Sequence, residues 1–102
     1  MAVLHINKQN FAELEASEKP VLIDFYADWC GPCRMVGPVI EEIAEENPQY
    51  AVAKINVDAE PELAGRFGVF SIPTLVVLKN GKVADQLVGA QPKARILAML
   101  AK

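Results

Sequence analysis

The sequence predicts an α/β fold, a mixed sheet with helices on both faces. Three observations predict it. Apolar runs of strand length alternate with segments of helical periodicity, one of those runs is apolar without alternation, and an Asn-Gly pair joins two further strand-like runs near the end. An unbroken apolar run marks a strand buried on both faces, as in parallel sheets.

Val3, Leu4 and Ile6 make a short first strand. Asn7 to Asn10 then offer caps for a helix with Phe11 and Leu14 on its inner face, ending before Pro20. Val21 to Ala27 is nearly all apolar and reads as that strand buried on both faces. From Cys33 to Asn47, Val36, Val39, Ile40 and Ile43 recur at helical spacing against Glu41, Glu42, Glu45 and Glu46 on the opposite side. Gly37-Pro38 predicts a kink there, and Asn47-Pro48 an end. Ala51 to Val57 is the next strand, and a short helix starts near Pro61, buries Leu63 and Phe67 and stops at Gly68. Thr74 to Lys79 and Lys82 to Val88 flank Asn80-Gly81, a dipeptide suited to a type I′ turn, so these strands are antiparallel neighbours. Lys93 to Ala101 closes the chain as a helix with Ile96, Leu97 and Leu100 inward.

A chain of 102 residues, 52% hydrophobic, has room for one domain, expected over residues 1–102. The net charge of -3 provides no basic stripe, which argues against a nucleic acid as partner. No apolar stretch reaches the roughly 20 residues that span a bilayer, and the segment from Met1 to Asn7 lacks the regions of a signal peptide. The expectation is a cytoplasmic monomer with no membrane association.

Two cysteines are too few for a secreted disulfide scaffold. Cys30-Gly31-Pro32-Cys33 stands where the buried strand ends and the long helix begins, so Cys30 meets unsatisfied amides and the positive end of the helix dipole. A free thiol has a pKa of roughly 8.5, and a helix amino terminus lowers it. Cys30 is therefore the attacking thiolate and Cys33, one turn on, the resolving thiol. Regular helical spacing puts such Cβ atoms about 5 to 6 Å apart, whereas a disulfide needs about 3.8 Å, so the motif must sit at an irregular helix start. Gly31 gives the backbone latitude, and Pro32 fits the helix entry. A cation between the cysteines would favour an oxidant, and the uncharged Gly-Pro pair argues for a reductant. Zinc would need four ligands, and beyond the cysteines the chain offers only His5 and carboxylates. A structural disulfide closing so short a loop would contribute little.

Asp28-Trp29-Cys30-Gly31-Pro32-Cys33 resembles the thioredoxin family, and the likeness extends over the whole chain through Asp24, Pro38, Lys54, Ser71-Ile72-Pro73-Thr74, Lys79-Asn80-Gly81 and Val88-Gly89-Ala90. It implies a five-stranded mixed sheet flanked by four helices and the reduction of disulfides in substrate proteins. It also implies no bound cofactor beyond the Cys30-Cys33 disulfide, renewed by a flavin-dependent thioredoxin reductase with electrons from NADPH. Tyr26 departs from the pattern, standing where many members have tryptophan.

Asp24 interrupts an apolar strand, and burial should raise its pKa. The resemblance makes it the proton acceptor for Cys33. Lys54 is alone in its own strand and would moderate that charge if the two strands are adjacent; otherwise either side chain snorkels out at a sheet edge. Sequence alone favours a trans Ile72-Pro73 bond, whereas the resemblance implies cis, with the Ile72 backbone pairing with an extended substrate. Trp29, Gly31, Pro32, Ile72, Pro73, Gly89 and Ala90 would then form the substrate-binding patch around Cys30. Two rival functions remain: an oxidase or isomerase acting on folding proteins, and a binding module for which the cysteines are dispensable.

Overall fold

The computed structural model describes residues 2–102. Met1, the first residue of the domain expected over 1–102, lies outside them. The elements are β1 (Val3–His5), α1 (Phe11–Glu15), β2 (Val21–Tyr26), α2 (Gly31–Glu46), β3 (Ala51–Asn56), α3 (Pro61–Arg66), β4 (Thr74–Lys79), β5 (Lys82–Val88) and α4 (Lys93–Ala101). The strands form one mixed sheet in the order β1-β3-β2-β4-β5. β3 runs parallel to β1 and β2, and β4 is antiparallel to β2 and β5. This is the predicted α/β architecture.

Alternation along the inner strands divides the core in two. Leu22, Val52, Leu75 and Val77 pack with Val36, Ile40 and Ile43 of α2 and Ile96, Met99 and Leu100 of α4. Val21, Ile23, Phe25, Ala53, Ile55, Val76 and Leu78 pack with Phe11 and Leu14 of α1 and Leu63 of α3 on the other side. β2 lies at the centre of the sheet with helices over both faces, which is why it carries no solvent-facing alternation.

The expected stops have local causes. Asn80 and Gly81 have φ of 54° and 77°, the two positive angles of a type I′ turn. Gly81 is further required by a close approach, because a Cβ there would stand 2.9 Å from the Glu15 carbonyl oxygen. Gly68, with φ of 65°, ends α3, and the Val69 N–H to Ala64 O and Gly68 N–H to Gly65 O bonds complete a Schellman motif.

One boundary differs from expectation. α2 begins at Gly31 rather than near Cys33, since Gly31 and Pro32 form its first turn instead of preceding it. Pro38 lies inside the span of α2. Asn10 stands at the start of α1 but does not cap it. Its Oδ1 accepts the Asn7 N–H, while Asn7 Oδ1 accepts from Gln9 and Asn10, so the two side chains build the loop rather than the helix.

Candidate active site

The chain leaves β2 at Tyr26 and turns through Ala27 to Trp29, with the Cys30 N–H donating to Ala27 O at 3.2 Å. Cys30 keeps an extended backbone (φ -86°, ψ 114°) and is the N-cap of α2. Its Sγ accepts the Cys33 N–H at 3.2 Å, so a helix-terminal amide already points at the sulfur. No acidic residue occupies the first turn to offset the positive helix end. Cys30 and Cys33 are joined in a disulfide with Cα atoms 5.3 Å apart, which the extended N-cap makes reachable. Both are buried, at 4% and 5% exposure, while Gly31 and Pro32 between them are exposed. The two cysteines are therefore largely shielded from bulk water.

The second wall is the loop before β4. Ile72-Pro73 is cis, and Ile72 O lies 3.8 Å from Cys30 Sγ. The Gly89 N–H donates to Pro73 O at 2.8 Å, which brings Gly89 and the exposed Ala90 beside the same loop. Gly89 has φ of 99°, a conformation that suits a residue without a side chain. Pro73 itself is buried, so of that pair Ile72 reaches the surface. Trp29 is 68% exposed and its Nε1–H donates to Asp58 Oδ2 at 2.8 Å, so the indole is a tethered surface ring rather than a core residue.

Asp24 and Lys54 are Cα partners in the parallel β2-β3 pair, and neither strand is a sheet edge. The adjacency condition holds, and Asp24 does not snorkel: it is fully buried and neither carboxylate oxygen has a hydrogen-bond partner. Burial raises its pKa to about 6, and the Lys54 charge partly offsets that rise. Lys54 is half-buried, with Nζ 4.5 Å from the Tyr26 ring centroid. A cavity of about 660 Å³ joins Cys33, Tyr26 and Lys54 with Arg34, Gly37 and Glu41. A second, of about 270 Å³, shares Tyr26 and Lys54 and reaches His5, Asn56 and Glu60.

The structure thus brings Cys30, Cys33, Ile72, Pro73 and Gly89 into bonded or near contact, with Asp24 and Lys54 on the sheet face under α2. Asp58 was not anticipated: its bond to Trp29 spans 29 positions and no local pattern announces it. Nor were the exposures of Phe70, at 98%, beside the cis loop and of Met35, at 74%, on α2. Among the described residues no three His, Cys, Asp or Glu gather as a metal site, and no helix is long and apolar enough to cross a membrane.

The thioredoxin family model matches residues 2–102. A thioredoxin from Alicyclobacillus acidocaldarius subsp. acidocaldarius is 48% identical over 101 residues, covering 98% of this chain and 96% of that protein. A bifunctional thioredoxin reductase/thioredoxin from Mycobacterium leprae (strain TN) is 52% identical over 88 residues, 85% of this chain and 19% of that longer protein. Among solved structures, a single-site mutant of the thioredoxin from Halobacterium salinarum NRC-1 superposes with a TM-score of 0.90 at 38% identity, covering 96% of this chain and 87% of that one.

Proposed function

The chain belongs to the thioredoxin family, and from that premise we propose that it is a general reductant of protein disulfides, recycled by a flavin-dependent thioredoxin reductase that draws on NADPH. It is a thiol-disulfide oxidoreductase with a redox-active cysteine pair. The observation that carries the proposal is the Cys33 N–H donated to Cys30 Sγ at the unopposed amino terminus of α2. A sulfur so placed is stabilised as an anion by the same amide and the same dipole.

In the reduced protein the Cys30 thiolate attacks one sulfur of a substrate disulfide. A Cys30-substrate bond forms, the substrate disulfide breaks, and the departing thiolate takes a proton. Cys33 then loses its proton to Asp24 and attacks Cys30 Sγ, closing the Cys30-Cys33 bond and expelling the second substrate thiol. Two electrons have passed to the substrate, and the reductase returns two to the pair. With a pKa near 6, Asp24 is largely ionised at neutral pH yet basic enough to accept a proton. Lys54 moderates that charge from the neighbouring strand.

Trp29, Gly31, Pro32, Ile72, Gly89 and Ala90 frame the opening over Cys30, with Pro73 setting the loop beneath them. Ile72 O beside the sulfur supports reading of the substrate main chain, hence broad tolerance of sequence. The reductase domain fused to a relative of this chain supports the recycling partner. The cytoplasm, where thiols are kept reduced, is the compartment this role suits, and the chain works there as one domain and as a monomer.

The test is turnover. The purified protein with dithiothreitol should speed reduction of the insulin disulfides well beyond dithiothreitol alone, and with NADPH and a bacterial thioredoxin reductase it should sustain many cycles. No acceleration in the first assay overturns the reductant; acceleration there without NADPH oxidation in the second overturns the recycling.

A further inference from the structure

Tyr26 follows Asp24 by two residues in β2, and Lys54 is the β3 partner of Asp24, so the three side chains share the sheet face under α2. An ammonium and a carboxylate on directly paired residues are placed to meet, and both Asp24 oxygens are without another partner. They do not bond. The Lys54 ammonium lies instead over the Tyr26 ring, 4.5 Å from its centroid, on the side where Gly37 of α2 leaves room: a Cβ at Gly37 would stand 4.0 Å from Nζ. A cation is drawn to the negative face of an aromatic ring. The ring therefore competes with the carboxylate for the same ammonium.

We propose that Tyr26 is a positioning residue for the resolving step: its ring holds the Lys54 ammonium off Asp24, which leaves the carboxyl group unpaired and able to take up the Cys33 proton. The proposal rests on Asp24 being that acceptor. A direct ion pair would hold the carboxylate in its charged form and lower its pKa by roughly 1 to 3 units, making it a poor base. The other charged or titratable groups near this pocket are Arg34, Glu41 and Cys33 from α2 and Asp28 beyond β2, all on the larger cavity, and His5 and Glu60 across the smaller one. β4 faces Asp24 with the apolar Leu75. Of all these charges, Lys54 is the one that lowers the Asp24 pKa against the effect of burial.

The experiment is a carbon-13 NMR titration of the Asp24 side-chain carboxyl in the oxidised protein at fixed ionic strength. Tyr26→Leu should lower its pKa by about one unit or more, the direction of a closer opposite charge. Tyr26→Phe, which keeps the ring, should titrate as the parent does. In a Lys54→Met background, Tyr26→Leu should produce no further fall. An unchanged or raised pKa in Tyr26→Leu overturns the proposal, and so does an equal fall in the Lys54→Met background, which would make the ring a cover against water. If Tyr26→Leu does not fold, Tyr26→Met is read in the same way. Should Asp24→Asn resolve mixed disulfides at the parent rate, the acceptor role fails, while the titrations still decide the positioning.

Discussion

Replacing Asp24 by Asn should stabilise the oxidised protein, and the gain should depend on pH. The carboxyl group is fully buried without a hydrogen-bond partner, and its pKa rises from 3.8 to about 6 in the fold. Between those values the unfolded chain has released the proton and the native protein still holds it. The native state thus binds more protons there, and stability falls as pH rises through the window. Below 3.8 both states are protonated and the loss is absent; above about 6 it is complete. A shift of about 2.2 units at roughly 1.36 kcal/mol each amounts to about 3 kcal/mol. Asn keeps the shape and never ionises, so Asp24→Asn should be near neutral at pH 3.5 and more stable than the parent by about 3 kcal/mol at pH 8. Urea unfolding of both proteins at half-unit pH steps measures this, and slopes of roughly 1 to 3 kcal/mol/M place the midpoint shift at about 1 to 3 M. A gain equal at every pH would mean that packing, not ionisation, is responsible; no gain at pH 8 would mean that the carboxylate is hydrated or paired. Either result refutes the reasoning.

Cys33→Ser should accumulate a stable Cys30-substrate mixed disulfide, visible by non-reducing electrophoresis and mass spectrometry, and adding Cys30→Ser should abolish it. Gly81→Ala should destabilise the protein by about 1 to 2 kcal/mol, since an L-residue is strained at the φ of 77° and its Cβ would press the Glu15 carbonyl; thermal unfolding reads this. Asp58→Ala should free the Trp29 indole from its one side-chain acceptor, altering its fluorescence. The loss of about 0.5 to 1.5 kcal/mol for that bond should raise KM for a protein substrate roughly two- to tenfold, with kcat little changed.

Much of this fold was legible because its punctuation is local. Asn80-Gly81, Gly68 and Pro61 each impose their turn or boundary through their own backbone preferences, and β4, β5 and α4 have the predicted limits. The start of α2 was misplaced because the apolar periodicity begins only at Val36 and does not mark the first turn, which here starts at Gly31 behind the Cys30 sulfur as cap. The strangeness of Asp24 was legible from one charge in an apolar run, and the upward direction of its pKa follows from burial, which the Lys54 charge only partly offsets. Its unbonded oxygens were not, since they depend on where the Lys54 ammonium rests relative to Tyr26. Residue physics alone favoured a trans Ile72-Pro73 bond; the family resemblance implied the cis bond that the structure has. The tether from Asp58 to Trp29 joins two exposed residues across the fold, and no hydrophobic pattern records such a pair.

The strand order carries a consequence for synthesis. β1 is made before β3, its one strand neighbour among the described residues, which ends at Asn56. Until Asn56 has left the ribosome, β1 has no edge to join, and Val3 and Ile6 have no finished core to enter. β1 thus waits for β3, and a nascent chain stalled before Asn56 presents it bare to chaperones and proteases.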